Sequence, residues 1–137
     1  VICANHVLWL NDSGGEQADL SNCVLKGLFL RGRDLSHAYC NYTVFDDCNL
    51  DSVDFSSAEL ESARFTNCEM KDLFAVKTNF ADAEFESCDL SDATIAECPM
   101  MSSTMKNCNL DNTGLLDCDG EPVVIPDEEA EGLAPVL

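Results

Sequence analysis

The sequence predicts an all-β fold, a four-sided parallel β-helix about five coils tall with a short helix closing its first end. Three observations predict it. An apolar residue recurs every five positions from Leu20 to Leu115. A second, mostly small residue stands two positions before each of these, as at Ala18, Cys23, Ala38, Cys48, Ala58, Ala63 and Cys68. Side-chain identity recurs again at twenty residues, in the ladders Phe45, Phe65, Phe85 and Cys48, Cys68, Cys88, Cys108.

A period of five fits neither regular element alone. A helix turns about 100° per residue and would smear these positions around its surface. A strand alternates faces and would turn every second apolar residue outward. The pattern closes if three residues run extended and two turn a corner. Residues two apart then point inward together, and the one between points out. Recurrence at twenty residues makes four corners per coil, so like residues stack at about 4.8 Å. A third ladder, Leu30, Leu50, Leu90 and Leu110 with Met70 in step, follows the same rule.

The elements follow in chain order. Residues 1–17 read as an N-terminal cap: a short helix over 3–12 with Val7, Leu8, Trp9 and Leu10, stopped by Gly14 and Gly15. Trp9 or Leu10 is expected to lie over the first coil, since a stack needs its open ends covered. His6 is expected to pack or cap rather than to catalyse. Residues 18–120 form the coils. Arg33 at an inward small position is expected to mark an opened corner. Cys40 and Ala75 at central positions, and Pro99 within a unit, are the other departures. Leu73 or Phe74 is expected to fill the room that Ala75 leaves. Residues 121–137 read as an acidic C-terminal tail or cap, with Val123, Val124 and Ile125 folding back over the last coil or serving a partner or a dimer.

The units Ala-Asp-Leu-Ser-Asn (18–22), Cys-Asn-Leu-Asp-Ser (48–52), Cys-Asp-Leu-Ser-Asp (88–92) and Cys-Asn-Leu-Asp-Asn (108–112) resemble the pentapeptide-repeat family. The resemblance covers about three quarters of the chain. It implies a right-handed quadrilateral β-helix; the handedness comes from the family and not from the spacing. The lead-in His6, Trp9, Leu10, Gly14, Gly15, Ala18, Asp19, Leu20 is similar to that of many bacterial and phage members. Some members confer quinolone resistance by binding DNA gyrase in place of DNA.

Composition narrows the function. A formal net charge of −19 over 137 residues disfavours nucleic acid and anionic membrane as partners and suits a basic protein. No apolar stretch reaches the roughly 18 residues of a membrane span. The first residues lack a signal-peptide pattern. The nine cysteines are odd in number and follow the repeat, which reads as reduced, buried thiols in a cytoplasmic protein. No cofactor is expected. Only His6 and His37 could serve as imidazole bases, and no phosphate-cradling loop occurs, so no catalytic residue is assigned. Stacked thiols point in parallel rather than converging tetrahedrally, so no metal site is assigned.

Two binding readings remain. The outward column Ser36, Ser56, Val76, Ala96, Leu116 turns apolar toward its end, beside Phe74, and forms a candidate patch for an unknown protein partner or a homodimer. Tyr39 and Tyr42, on another side, form a weaker one. The second reading is a DNA mimic that acts on a topoisomerase. The coils carry 19 acidic and 7 basic residues, net −12. Over about 24 Å this is about 0.5 charge per Å, against about 0.6 for B-DNA. Sorted by side, the net charges are −5, −1, −4 and −2, so the most acidic sides lie opposite each other.

Overall fold

The computed structural model describes residues 1–126, which form a parallel β-solenoid of about five turns preceded by one helix, α1 (Ile2–Leu10). Nine three-residue strands follow. Six build one sheet: β1 (Val24–Lys26), β2 (Val44–Asp46), β3 (Arg64–Thr66), β5 (Glu84–Glu86), β7 (Thr104–Lys106) and β9 (Val123–Ile125). Three build a second: β4 (Phe74–Val76), β6 (Thr94–Ala96) and β8 (Gly114–Leu116). All pairs are parallel, and from β1 to β7 the partners lie twenty residues apart, as Phe45↔Phe65 and Phe65↔Phe85 show. The other two sides are joined by isolated bridges such as Tyr39↔Glu59 and Asn49↔Glu69.

The two inward columns supply the core. Phe45, Leu50, Phe55, Leu60, Phe65, Met70, Phe80, Leu90, Ile95 and Met100 are fully buried, with Ala38, Val53, Ala58 and Ala63 between them. Phe65 stacks flat on Phe45 and Phe85, with ring centroids 4.9 and 4.8 Å apart. Phe55 and Phe80 meet this stack edge-on. Leu73 and Ala75 are both buried, while Phe74 turns outward.

The corners explain the fifth column of the repeat. From Asn22 to Asp117 every fifth residue has a positive φ, between 53° and 73°. Sixteen of these twenty are Asn, Asp, Ser or Gly. Asn, Asp and Gly enter this region at least cost. The outward Asp or Asn of many units closes the same turn, its side chain accepting the N–H two residues on, as from Ser21 to Asp19 and from Asp51 to Asn49.

Both ends differ from the regular stack. The helix begins at Ile2 and ends at Leu10, shorter at its end than the pattern 3–12 suggested. Gly15 follows at φ +74°, where a Cβ would strike the Asn5 carbonyl. At the far end one residue is dropped: Thr104 pairs with Val123, nineteen positions on, and β9 extends the larger sheet by one rung. Val123–Ile125 therefore continues the wall beside β7. The acidic run from Asp127 lies outside the described residues.

Candidate functional site

The cysteine ladder has a structural task that the repeat alone does not reveal. After most tight units the corner closes with a backbone bond, such as Cys23 N–H to Leu20 O and Ala58 N–H to Phe55 O. Among the described residues, the units built on β1 to β8 lack that bond. On β1 to β6 the central carbonyl accepts a thiol from the next coil. The pairs are Cys48 to Leu25, Cys68 to Phe45, Cys88 to Phe65, Cys108 to Phe85, Cys98 to Ala75 and Cys118 to Ile95, at 3.2–3.6 Å. Cysteine enters the column of Ala58 and Thr78 only at Cys98, one coil after the smaller sheet begins at β4.

The thiols do not shift alike: hydrogen bonding with Cys88 lowers Cys68 and Cys108, whereas other buried thiols are raised. Burial pushes Cys40 up to about 12, with the Asp19 charge adding to it. Burial also raises Cys98. The neighbouring Cys108 and Cys68 thiols, and burial, raise Cys88. A thiolate is the nucleophile and the metal ligand, so such groups suit packing. No group of three or more His, Cys, Asp or Glu poised for a metal occurs among the described residues.

His6 is fully buried. Its Nδ1 accepts the Ala18 N–H at 2.9 Å, and Nε2 donates to the Ser36 carbonyl at 2.6 Å. Both ring nitrogens are thus spent joining α1 to the first coil, and none is left to move a proton. His37 is exposed at a corner, its carbonyl accepting from Gln17.

The residues singled out as a patch do come together. Val76, Ala96 and Leu116 stand in register on β4, β6 and β8, and Phe74 heads the neighbouring column above Thr94 and Gly114. Phe74 is 46% and Leu116 55% exposed, with Val76 and Ala96 half-buried. Among the described residues nothing folds over this stripe, since β9 joins the opposite sheet. Tyr39 and Tyr42 are also exposed.

The expected cap is placed differently. Trp9 stacks on His6, 5.6 Å between centroids, and with Leu10 borders a shallow recess beside Asp12 and His37. The helix meets the core through Cys3 and His6 instead. The reason is the two-ended anchoring of His6, which turns the Cys3 side of α1 toward the interior and leaves Trp9 at the rim.

A feature absent from the sequence reading lies beside this helix. It covers only part of the first coil. A cavity of about 520 Å³ remains, lined by Leu20, Leu25, Leu28, Leu30, Leu35 and Arg33 together with the start of α1. Val24 and Phe29 are exposed on the outside of the same coil, at 73% and 71%. The available signal was Arg33 in the inward column and the run Leu28-Phe29-Leu30.

No helix among the described residues is long and apolar enough to cross a membrane. The family model for pentapeptide repeats (8 copies) matches residues 16–50 and 34–72. No curated protein matches the sequence. Among solved structures, the chain is similar to the pentapeptide repeat protein Rfr23 from the cyanobacterium Cyanothece 51142, at 16% identity over 93% of this chain and 100% of that one, with a TM-score of 0.43. It is similar to a pentapeptide repeat protein of the Arabidopsis thaliana thylakoid lumen, at 18% identity over 87% of this chain and 76% of that one, with a TM-score of 0.33. It is also similar to QnrB1, a plasmid-mediated fluoroquinolone resistance protein, at 14% identity over 88% and 81% of the two chains, with a TM-score of 0.33.

Proposed function

We propose that this chain, whose residues 16–50 and 34–72 match the pentapeptide-repeat family model, is a member of that family and a non-catalytic binding module that works in the cytoplasm. Its contact face is the stripe Phe74, Val76, Ala96 and Leu116. The observation that carries this reading is the register of that stripe: three apolar rungs in line, exposed at Leu116 and flanked by Phe74. The sides bordering it carry net charges of −4 and −5 over residues 18–120. An apolar strip between acidic sides suits a protein partner with an apolar centre and a basic rim. A second copy of the chain is the alternative occupant.

Photo-crosslinking tests this. A photoreactive residue in place of Ala96 should give an adduct that disappears in the Leu116→Asp background, whereas one in place of Glu84, on the opposite sheet, should give none. Light scattering then sorts the occupant: a dimer split by Leu116→Asp marks a second copy. Equal labelling from both positions, or none from either, sinks the reading.

A second reading, a DNA mimic acting on a topoisomerase, is favoured by one observation. The coils carry net −12, close to the axial charge density of B-DNA, about 0.6 per Å. Its test is a gyrase supercoiling assay with titrated protein. Inhibition of gyrase, or its protection from a quinolone, is the expected result; neither at micromolar protein removes the mimic.

A further inference from the structure

We propose that the open N-terminal mouth of the prism binds a free single-chain amphiphile with an anionic head group, such as a long-chain carboxylate. The cavity of about 520 Å³ has the size of a small-molecule site. Its wall is Leu20, Leu25, Leu28, Leu30 and Leu35, the inward side chains of a first coil that has no coil beneath it. In the middle coils such residues are buried, as Leu50, Leu60, Met70 and Leu90 are, whereas here Leu28 remains 41% exposed, comparable with Leu115 at 38% in the last coil. The wall is therefore apolar by construction and incompletely covered by α1.

Arg33 supplies the polarity. It stands in the column that elsewhere holds Val53, Leu73 and Ala93, all buried, and it lines the cavity. Among the described residues it makes no ion pair, unlike Arg64, which pairs with Glu84 on another side. The nearest carboxylate in sequence, Asp34, is engaged by the Ser36 N–H and hydroxyl. A guanidinium beside an apolar wall offers a fixed, forked donor for a carboxylate or phosphate.

The charge distribution points the same way. Coil by coil from residue 18 to residue 117, the net charges are +1, −4, −1, −6 and −1. The first coil, with Lys26, Arg31 and Arg33 against Asp19 and Asp34, is the one coil with a positive balance. With Asp12 and Glu16 of the preceding segment the side-chain balance at this end is −1, so an anion meets far less repulsion there than at the −4 and −6 coils. The same charge keeps the protein off anionic bilayers, so the ligand is the free monomer and not a lipid in a membrane.

The test is isothermal titration of the 137-residue chain with octanoate, decanoate and dodecanoate below their critical micelle concentrations. One saturable site is expected, tightening about two- to fourfold per added methylene. Arg33→Leu should weaken dodecanoate about tenfold and leave dodecanol unchanged or tighter. Leu28→Asp should abolish binding of both, with the fold monitored by circular dichroism. Leu116→Asp, at the far end, should change neither. Vesicles of phosphatidylcholine with phosphatidylglycerol should not co-sediment with the protein. No saturation with any chain length, equal affinity in Arg33→Leu, or binding seen only with vesicles overturns the proposal.

Discussion

At the scale of single residues, the corner decides which side chains the repeat accepts. The left-handed conformation at every fifth residue costs about 1–2 kcal/mol for most L-residues, which is why Tyr42, Lys77 and Glu97 stand out in a column of Asn, Asp, Ser and Gly. The cysteines follow a parallel logic, because a thiol is small enough for the inward column and can donate to the carbonyl that a wide corner leaves. Burial of the central Cys40 thiol has a consequence at high pH. The Cys40 thiol titrates at about 12 in the folded chain against 9.0 for a free thiol. Below about pH 9 both states keep the proton, and its contribution is fully present. Between pH 9 and 12 only the unfolded chain gives it up, so stability falls as pH rises, by on the order of 4 kcal/mol over the whole window. Urea unfolding at pH 8, 9, 10 and 11 should show this decline, with a shallower slope in Cys40→Ala. Parallel slopes for the two proteins would mean that Cys40 ionises as readily folded as unfolded.

At the scale of elements, three-residue strands are too short to stand alone, and each is stable only between the rungs above and below. Phe65 shows the coupling best, since its ring lies against Phe45 and Phe85 at once and meets Phe55 at an edge. Phe65→Ala removes the middle of a stack and should cost about 3–5 kcal/mol, read as a lower urea midpoint. A loss below about 1 kcal/mol would mean that the neighbouring rings collapse into the space. This much was legible beforehand, because a period of five with identity at twenty has few geometric solutions. The column of Asn, Asp, Ser and Gly was also visible, but its meaning required knowing that the corner is left-handed. What stayed hidden depends on non-repeating contacts. The orientation of α1 is fixed by the bonds of His6 to Ala18 and Ser36, and no spacing rule foretells them. The single-residue deletion that carries Val123–Ile125 onto β7 likewise breaks the period on which the reading relied. Phe74, Val76, Ala96 and Leu116 obey the period throughout and stand on three rungs of one sheet.

At the scale of the whole molecule, charge and stacking oppose each other. Coils with net charges of −4 and −6 are separated by one of −1, and successive coils lie only about 4.8 Å apart. Alternation keeps the two most acidic coils from direct contact but leaves them well inside the Debye length of about 30 Å at 0.01 M salt. The cross-rung pair of Arg64 and Glu84, 2.8 Å apart and more than half exposed on both side chains, offsets little of that repulsion. Unfolding separates the charges and relieves it, so the folded state of this −19 chain gains from screening. Raising NaCl from 0.01 to 0.5 M should therefore raise the urea midpoint, by a stability increment on the order of 1 kcal/mol. Urea rather than guanidinium is required, because guanidinium chloride is itself a screening salt. A midpoint that stays flat or falls with salt would mean that the local pairs outweigh the general repulsion. The mean charge density would then be a poor measure of what a partner meets at the surface, and the DNA-mimic reading would lose the observation that favours it.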